Sequence, residues 1–376
     1  MSSSVFDVAI VGAGIVGAAC ADECVREGMS VVVVESDIVG GGATAAGMGH
    51  IVVMDDSEAQ FALTSYSQSL WRELEPELPS DVEYDACGTI WVAADEEEME
   101  EVRRKQLFYS ERNVKVEVLD AGALLNAEPK LRRGLAGGLR VPGDAVIYAP
   151  AAARFLLERA TARGAVLRSG CPVVELTDDG VRLSNGAFIA CGVTINATGT
   201  WSPSLTPGID VRKRKGHLLI TDRYPNFLRH QVVELGYLKS AHSLTSDSVA
   251  FNVQPRRTGQ LLIGSSRQFD SEDSKVDAVM LARMLARAEE YIPELGRLSA
   301  IRAWAGFRAA TTDKLPLIGP SPVHSRQYLA TGHEGLGITT SLGTARLVVD
   351  QLLKRPSQIA IGPFLPARPA QEAVYA

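Results

Sequence analysis

Three glycines near the start of the chain have the spacing of a phosphate-binding turn. Gly12, Gly14 and Gly17 follow an apolar run and open a segment whose apolar residues recur with helical periodicity. The first glycine permits the tight turn, the second lets the backbone approach a pyrophosphate, and the third lets helix and strand pack closely. A second apolar run ends at Glu35, whose carboxylate can accept hydrogen bonds from both hydroxyls of a ribose. This order of strand, glycines, helix, strand and acid predicts a dinucleotide site and disfavours a 2′-phosphate.

Two further segments of small residues predict close contact between the backbone and a ligand. Residues 40–49, "GGGATAAGMG", follow the second apolar run and read as a loop with almost no side chains. A planar cofactor ring can lie against such a backbone. Farther along, a predicted strand runs into Ala197, Thr198 and Gly199. Small residues at the carboxyl end of a strand are typical of the ligand-binding edge of an α/β sheet.

Length and composition limit the fold and its partners. The chain has 376 residues, 46% of them hydrophobic, which is enough for a large core and predicts two domains. Its net charge of -7, without a basic stripe, argues against nucleic acid. The five cysteines form no CxxC pair and join no histidine cluster, so we expect no metal site. Because no apolar run has membrane-spanning length and no signal-peptide pattern precedes the first strand, we expect a cytoplasmic protein without a membrane span.

The remaining pattern predicts an α/β fold whose cofactor domain is discontinuous in sequence. Residues 58–78 have a helical pattern and 83–94 a strand pattern, and a charged, solvated helix follows. Residues 150–203 repeat a helix, strand, hairpin, strand order, with the turns "DDG" and "SNG". Residues 216–264 predict antiparallel strands of a substrate-facing domain, which a helix completes. Residues 328–355 return to strand, glycine loop and helix, as in the first segment.

Five separated blocks of the sequence resemble one family. They are "VAIVGAGIVGAACA" with Glu35, "GGGATAAGMG", "NATGTWS", "WAGFRAATTDKLPLIG" and "ATGHEGLGITTSLGTA". In this order they are similar to the FAD-dependent D-amino-acid oxidase superfamily, which includes glycine oxidase and sarcosine oxidase. Within it, the last block most resembles the catalytic β subunits of D-hydroxyproline dehydrogenase and of opine oxidases. The resemblance, and not the glycine pattern, selects FAD over NAD.

The resemblance implies a Rossmann-like FAD-binding domain with a smaller α+β substrate domain built on an antiparallel sheet. We assign residues 1–82, 145–212 and 301–376 to the FAD-binding domain. Residues 83–144 and 213–300 then form the substrate-binding domain.

The resemblance also implies which residues bind FAD, here non-covalently because "AATTDKLP" contains no cysteine. We expect the pyrophosphate at the first glycine turn, the adenine at Val173, and the flavin between the two later glycine-rich segments. The N-terminus of the last helix can stabilise negative charge on the reduced flavin. The predicted FAD residues are Gly12, Ala13, Gly14, Ile15, Val16, Gly17, Glu35, Ser36, Gly42, Ala43, Thr44, Gly47, Met48, Val173, Ala197, Thr198, Gly199, Trp201, Gly332, His333, Glu334, Gly335, Leu336, Gly337, Ile338 and Thr339.

The implied reaction is hydride transfer from the α-carbon of an amino or imino acid to flavin N5, which gives an imine. It requires a cation for the substrate carboxylate, and Arg308 is the candidate because a guanidinium binds a carboxylate through two parallel hydrogen bonds. His50, His333 and Met48 lie in or beside the predicted flavin loops, and both structural and active-site roles stay open for them. Asn252 stands where glycine oxidase has a substrate-binding tyrosine. This difference favours a secondary amine, such as D-hydroxyproline or an N-substituted amino acid, over glycine.

Several alternatives stay open. A glycine oxidase-like enzyme would act on glycine or N-substituted glycines with oxygen as the acceptor. A flavin-binding electron-transfer subunit of a heteromeric complex would have no working substrate site, although Arg308 favours catalysis. An NAD-dependent dehydrogenase would leave the two later glycine-rich segments unexplained. The basic run 211–219, "VRKRKGHLL", reads as a solvated strand entrance or, as in heteromeric relatives, as an edge facing a partner subunit or second flavin.

Overall fold

The computed structural model describes residues 5–236, 247–269 and 271–368, which contain two eight-stranded sheets and one short strand pair. The strands, in chain order, are β1 (Phe6–Val11), β2 (Val31–Val34), β3 (His50–Ile51), β4 (Thr89–Ala93), β5 (Glu117–Asp120), β6 (Gly137–Val141), β7 (Ala145–Val146), β8 (Val166–Arg168), β9 (Val173–Thr177), β10 (Gly180–Leu183), β11 (Phe188–Asn196), β12 (Arg212–Thr221), β13 (Gln231–Glu234), β14 (Ser248–Pro255), β15 (Leu261–Arg267), β16 (Ala300–Ala310), β17 (Leu317–Pro320) and β18 (Gln327–Thr331). The α-helices in the same ranges are α1 (Ile15–Arg26), α2 (Gly42–Ala46), α3 (Glu58–Leu74), α4 (Glu96–Glu111), α5 (Ala121–Ala127), α6 (Ala149–Ala162), α7 (Ser202–Leu205), α8 (Ala278–Tyr291) and α9 (Gly337–Leu352).

The first sheet is built from short apolar strands. Its order is β17–β18–β11–β1–β2–β8, and the strands from β18 to β8 run parallel. The side chains of β2 and of the second half of β1 are all buried, as expected for parallel strands covered on both faces. β17 is an antiparallel edge strand, and β9 and β10 extend β11 as a meander. This is the predicted Rossmann-like sheet.

Helices α1, α6, α9 and α3 form a layer beside this sheet. α1 packs against α6 and α9, and α9 packs against α3. Cys20 and Cys24 lie fully buried on α1 as small apolar residues. Burial raises the pKa of the Cys20 thiol to about 12, which disfavours the reactive thiolate. The structure thus uses these cysteines for packing.

The second sheet has the order β16–β12–β15–β14–β13–β4–β6–β5 and is antiparallel except where β13 pairs with β4. Side chains alternate between its faces along β14. Phe251 and Val253 belong to the core beneath α8, where the ring of Phe251 stacks on Tyr291 with centroids 4.5 Å apart. Asn252, between them in sequence, therefore lies on the other face of the sheet. The α/β class with a second, largely antiparallel sheet confirms the predicted fold class.

Four local predictions differ from the structure. Residues 42–46, expected as loop, form the short helix α2. The helix predicted to Leu78 ends at Leu74 and continues as a 3-10 turn, because Pro76 cannot donate a backbone hydrogen bond. The strand predicted from Glu83 begins only at β4, since Glu83 itself has a positive φ of 52°. The strands predicted to be antiparallel include β13, which pairs parallel with β4.

Two segments that we expected to be solvated contain buried cations. On β12, Arg214 and Lys215 are 5% and 2% exposed, and Arg214 pairs with the carboxylate of Glu334. On α4, Lys105 is fully buried and pairs with Asp55. The expectation of a solvated strand entrance is therefore wrong for the middle of the basic run. A run of charges in the sequence does not reveal which member turns inward to meet a buried partner.

The division into two domains stays a prediction. Every strand of the first sheet falls within the ranges assigned to the FAD-binding domain. Strands of the second sheet fall within the substrate-binding ranges, apart from β16 and the first residue of β12. We propose the same division with residues 301–310 moved to the substrate-binding domain. Parts of the assigned ranges, residues 1–4, 237–246, 270 and 369–376, lie outside the described residues.

Candidate functional site

A cavity of about 560 Å³, a volume common among small-molecule sites, is lined by residues of both sheets. Its wall combines the carboxyl ends of β1, β2 and β11 with residues of β12, β14 and β16 and with the start of α9. Most predicted site residues lie in this wall: Gly12, Gly14, Ile15, Val16, Glu35, Ser36, Gly42, Ala43, Thr44, Gly47, Met48, His50, Val173, Ala197, Thr198, Gly199, Trp201, Asn252, Arg308, Gly332, His333, Glu334, Gly335, Gly337 and Ile338. Ala13, Gly17, Leu336 and Thr339 lie behind it.

The glycine turn has the geometry that its spacing predicts. Gly12 has a φ of +101°, and a Cβ there would lie 2.7 Å from the carbonyl oxygen of Ala197. A Cβ on Gly17 would lie 1.9 Å from the carbonyl oxygen of Gly12, so this residue allows α1 to approach β1 and does not reach the cavity. A Cβ on Gly14 would meet only Thr44 Oγ1, at 3.1 Å. The N-terminus of α1 is therefore open toward the cavity, where its first-turn N–H groups can bind an anion.

Glu35 ends β2 at the rim of the same turn. One carboxylate oxygen accepts a hydrogen bond from the N–H of Ala13 at 2.7 Å. The other accepts from the N–H of Asp37 at 2.9 Å and from Ser36 Oγ at 3.1 Å. These contacts fix the orientation of a carboxylate that also lines the cavity. Ala13 thus acts by holding Glu35, from behind the cavity wall.

A second part of the wall follows β11. Ala197, Thr198 and Gly199 leave this strand beside the glycine turn, and Thr198 Oγ1 donates to Asn196 Oδ1 at 2.7 Å. Trp201 is 54% exposed and borders the cavity, and Val173 at the start of β9 lies in the same wall. Small residues, an exposed indole and a backbone edge are suited to the adenosine half of a dinucleotide.

Small residues bring three elements together at the opposite end of the cavity. A Cβ on Gly306 of β16 would lie 2.3 Å from the Cβ of Ala46 in α2. A Cβ on Gly47 would lie 2.8 Å from Cδ1 of Ile338 in α9. Because these positions lack side chains, backbone itself forms the wall, which is the surface that a planar ring system requires.

Ionic contacts of Glu334 hold the loop before α9 in place. Glu334 has a positive φ of 48°, and its N–H donates to the carbonyl oxygen of Ala309 at 2.8 Å. Its carboxylate contacts Arg214 and lies 3.8 Å from Nε of Arg267. Burial acts to raise the pKa of Glu334, but these arginines outweigh it and lower the pKa. The Glu334 side chain is therefore ionised and lies between two guanidinium groups.

Polar contacts fix the first turn of α9 against β3. Thr339 Oγ1 donates to the carbonyl oxygen of His50 at 2.8 Å, and the N–H of Leu336 donates to the carbonyl oxygen of His333 at 3.0 Å. His333 Nε2 lies 2.9 Å from Thr344 Oγ1, and burial lowers the pKa of His333 to about 3. The imidazole is neutral at pH 7, so positive potential at this end comes from the helix N-terminus. Thr339 and Leu336 support the wall from behind.

Arg308 lies in the wall on β16. Its Nη1 donates to the carbonyl oxygen of Ser266 on β15 at 3.0 Å. A Cβ on Gly216 of β12 would lie 2.3 Å from the same nitrogen. The guanidinium therefore crosses β12 exactly where that strand lacks a side chain, and it faces the cavity.

Met48, His50 and Asn252 come together on the same side as Arg308. Nδ2 of Asn252 donates to Nε2 of His50 at 3.2 Å, and Oδ1 of Asn252 is buried with no hydrogen-bond partner among the described residues. Burial lowers the pKa of His50 to about 4; a hydrogen bond with Gln231 opposes this, and the charge of Arg308 adds to it. Met48 packs against Leu218 at the cavity wall. The cavity wall thus combines a cation, a neutral imidazole and the amide of Asn252.

The sequence reasoning missed several wall residues. Gly216, Leu218, Ser265 and Phe307 line the cavity. Gly216 had a usable signal, because an isolated glycine inside a strand indicates close approach of another group. The other three residues have no distinguishing sequence signal. They contact the cavity only because their part of the second sheet faces the first sheet.

Metal and membrane features were sought in the same structure. Within the described ranges, no three His, Cys, Asp or Glu side chains cluster closely enough to hold a metal ion. None of the helices in that part of the chain combines the length and apolarity that crossing a bilayer requires.

Comparison with known proteins identifies relatives over nearly the whole length. The family model described as DAO, FAD dependent oxidoreductase, matches residues 7–351. Glycine oxidase of Geobacillus kaustophilus is 28% identical over 375 residues, covering 96% of each chain. A hydrogen cyanide synthase subunit, HcnC, of Pseudomonas aeruginosa is 28% identical over 426 residues, covering 99% of each. D-amino acid dehydrogenase of Methylobacterium nodulans is 26% identical over 79% of this chain and 71% of its own length.

Solved structures agree with these matches. The crystal structure of glycine oxidase from Geobacillus kaustophilus superimposes with a TM-score of 0.87 at 27% identity. The superposition covers 97% of this chain and 99% of that one. The two sheets therefore belong to a fold that this relative shares.

Proposed function

The chain belongs to the DAO family of FAD-dependent oxidoreductases, and we propose that within this family it oxidises a secondary amino or imino acid. The family and the relatives make it an FAD-dependent amino-acid oxidase or dehydrogenase acting on CH–NH groups. The proposed reaction removes a hydride from the substrate α-carbon and gives an imine. D-hydroxyproline and N-substituted amino acids are the proposed substrate class.

The cavity residues fit FAD. The open N-terminus of α1 at Gly14 suits the pyrophosphate, and the fixed carboxylate of Glu35 suits the ribose hydroxyls. The side-chain-free wall at Gly47 and Gly306 suits the flavin ring. When bound, FAD supplies the hydride acceptor. The protein then has to bind the substrate, orient its α-carbon and exclude water.

The observation that carries the proposal is the position of Arg308. Its guanidinium faces the cavity and is held by the carbonyl oxygen of Ser266, above a strand position that has no side chain. A planar fork of N–H donors binds a carboxylate through two parallel, charge-assisted hydrogen bonds. In this proposal Arg308 binds the substrate carboxylate. This contact determines which substituent of the α-carbon would face the flavin ring.

The neutral side chains beside Arg308 support an uncharged substrate amine. His50 has a pKa of about 4 and carries no charge at pH 7. Asn252 offers an amide in the same wall. Loss of hydride from the α-carbon requires a free electron pair on nitrogen, which a protonated amine lacks. Because Arg308 places a positive charge beside the substrate, the pocket favours binding of the neutral amine over the protonated one.

Apolar wall residues support a substrate larger than glycine. Met48 and Leu218 line the cavity on the side of Arg308. A ring or N-substituent in contact with them contributes on the order of 1 to 3 kcal/mol for each well-placed methylene group. Glycine makes no such contact, so a cyclic or N-substituted substrate gains binding free energy that glycine lacks.

Two other functions have support from the relatives. Relatives named glycine oxidase favour glycine or N-substituted glycines with oxygen as the acceptor. The relative HcnC is named as a subunit, which favours a partner protein that receives electrons. Within the basic run, Arg214 and Lys215 are buried, which leaves Arg212, whose side chain is 77% exposed, and Lys213 to contact such a partner.

Anaerobic flavin reduction tests the proposal. The purified protein is mixed with D-hydroxyproline, D- and L-proline, sarcosine and glycine, and bleaching of the flavin absorbance is followed. We expect a cyclic secondary amine to bleach it fastest, and fastest bleaching by glycine would contradict the substrate proposal. Reoxidation is then measured separately with oxygen and with an artificial dye. Fast reoxidation by oxygen would favour the oxidase alternative.

A further inference from the structure

A chain of hydrogen bonds connects the cavity to a buried carboxylate far from it in sequence. Nε2 of His50 accepts from Asn252, and Nδ1 of His50 contacts Oε1 of Gln231. Nε2 of Gln231 donates to Thr89 Oγ1, which lies 2.6 Å from Oδ2 of Asp144. We call these five residues the Asp144 chain. All except His50 are less than 9% exposed, and His50 is half-buried.

The carboxylate fixes the direction of every bond in the Asp144 chain. Oδ1 of Asp144 accepts from the N–H of Val53 at 3.2 Å and from Nε2 of Gln68 at 2.9 Å. The amide oxygen of Gln68 accepts from Arg72, so its nitrogen must face Asp144. An ionised Oδ2 can only accept, and the Thr89 hydroxyl must donate to it.

The directions of the remaining hydrogen bonds follow from the donors and acceptors that each side chain offers. Since the Thr89 hydrogen is used, its oxygen can only accept from Gln231, whose amide oxygen then faces His50. Nδ1 of His50 must carry the imidazole hydrogen, and Nε2 must be an acceptor. Only the amide nitrogen of Asn252 can face Nε2. Its oxygen is then left without a partner within the described protein, on a residue that lines the cavity.

We propose that Oδ1 of Asn252 accepts a hydrogen bond from the substrate nitrogen, and that the rest of the Asp144 chain consists of positioning residues that hold it in this orientation. The inference rests on the proposed function, because it takes an amino acid as the ligand. It adds a selection rule: the site requires an N–H donor on the group attached to the α-carbon. An ether or a tertiary amine at that point does not meet the requirement.

The spacing to Arg308 suits an α-amino acid. Arg308 donates to Ser266 of β15, two residues from Gly264, which pairs with Asn252 on β14. With strands about 4.8 Å apart and about 3.3 Å per residue, the Cα atoms of Ser266 and Asn252 lie roughly 8 Å apart. The carboxylate and the amine of one α-amino acid can therefore reach Arg308 and Asn252 at the same time, each through a hydrogen bond of about 2.9 Å.

Removing the charge of Asp144 should reverse the Asp144 chain. In Asp144→Asn, the oxygen still accepts from Val53 and Gln68, so the new amide nitrogen faces Thr89. The hydroxyl must then donate to Gln231, each amide turns over, and His50 carries its hydrogen on Nε2. Asn252 would accept from His50 and present its NH₂ group to the cavity. The substitution converts an acceptor site into a donor site without changing its shape.

In the wild-type protein, the pKa of Asp144 determines the pH at which the Asp144 chain would reverse in the same way. Burial raises the pKa of Asp144 to about 7, against its hydrogen bonds and the charge of Arg72 on α3. Tyr84, Cys87 and Tyr109 are the other titratable groups near it, and burial raises the pKa of each above its ordinary value. They stay neutral through pH 7, so Asp144 is the group that changes charge there.

Two planar ligands of equal shape test the inference. Pyrrole-2-carboxylate presents N–H, furan-2-carboxylate presents a ring oxygen, and neither has an α-hydrogen to lose. Their binding is measured from the shift of the flavin spectrum at pH 8.5, together with ¹⁵N NMR of the histidine rings, with His50→Asn to assign the His50 signals. Wild type should bind the pyrrole roughly tenfold more tightly and show hydrogen on Nδ1 of His50. Asp144→Asn should prefer the furan and show hydrogen on Nε2.

Thr89 provides a matched pair in case Asp144→Asn does not fold. Thr89→Val removes the hydroxyl and should abolish the preference between the two ligands, whereas Thr89→Ser retains the hydroxyl and should keep it. An unchanged preference in Thr89→Val or Asp144→Asn overturns the inference, as does hydrogen on Nε2 of His50 in wild type. If the ligands behave as expected but no amino acid bleaches the flavin, the proposed function fails while the polarity of the site stands.

Discussion

Adding one methyl group at Gly216 should displace the guanidinium of Arg308 without removing its charge. In Gly216→Ala the new Cβ would lie 2.3 Å from Nη1 and 2.8 Å from Cζ and Nη2. Ordinary contact requires about 3.5 Å, so the guanidinium must move by roughly 1 Å. That movement breaks the 3.0 Å hydrogen bond to Ser266 and misaligns the two hydrogen bonds proposed for the substrate carboxylate.

The expected loss follows from the strength of those bonds. A hydrogen bond to a charged group contributes about 1.5 to 3 kcal/mol, so the dissociation constant of a carboxylate ligand should rise roughly 10- to 100-fold. Complete removal of the cation in Arg308→Ala should cost roughly 2 to 5 kcal/mol. Because both changes act on the same contact, the double variant should bind no more weakly than Arg308→Ala alone.

Binding of pyrrole-2-carboxylate, followed from the flavin spectrum, measures these effects, and FAD per protein is measured in every variant. Gly362→Ala is the control, because this residue lies outside the cavity wall, its Cβ would meet nothing within 4 Å and its backbone does not need glycine. It should bind the ligand as wild type does. Normal affinity in Gly216→Ala, or additive losses in the double variant, would show that Arg308 does not bind the carboxylate.

Three further outcomes test other parts of the structure. Gly14→Val should abolish FAD retention by crowding the N-terminus of α1, whereas Gly362→Ala, whose Cβ meets nothing within 4 Å, should keep stoichiometric FAD after gel filtration. Lys105→Met removes the ammonium group from the buried Asp55, which Arg104 and Tyr109 still contact, and should lower the free energy of unfolding by about 1.5 to 3 kcal/mol in urea titrations. The additional change Asp55→Leu should restore much of the lost free energy of unfolding. An unchanged free energy of unfolding in Lys105→Met would contradict the buried pair. The wild-type preference for pyrrole- over furan-2-carboxylate should hold above pH 7 and fall below it as Asp144 is protonated, and a preference that is constant across this range would contradict the reversal.

The parts of the site that were predictable are those encoded by local backbone geometry. Gly12, Gly14 and Gly17 lie within one turn, and their spacing reports directly on a tight bend, an open helix end and a close helix–strand contact. The position of Glu35 could also be predicted, because the lengths of one helix and one strand determine where the second strand ends. For the same reason the α/β class and the glycine-rich walls could be predicted from short segments, although FAD itself came from the family resemblance.

The Asp144 chain could not be predicted, because its members come from five separate segments. His50, Thr89, Gln231 and Asn252 become neighbours only through the order of strands in the second sheet and the strand pair that carries His50. Each of them, taken singly, is an ordinary polar residue in an apolar strand. Lys105 presents the same problem on a helix, where one buried cation is indistinguishable in sequence from its exposed neighbours.

The charges around the cavity explain why the substrate should bind as a neutral amine. Glu334 is the acidic residue of the wall near Arg308, and its charge is already balanced by Arg214 and Arg267. His50 and the N-terminus of α9 supply no negative charge, and the amide oxygen proposed to meet the nitrogen is uncharged. An ammonium group would therefore add a second positive charge beside Arg308, at a cost that grows in a site of low dielectric. Substrate binding should consequently strengthen as pH rises toward the pKa of the substrate amine, whereas binding of the furan carboxylate, which has no amine, should not.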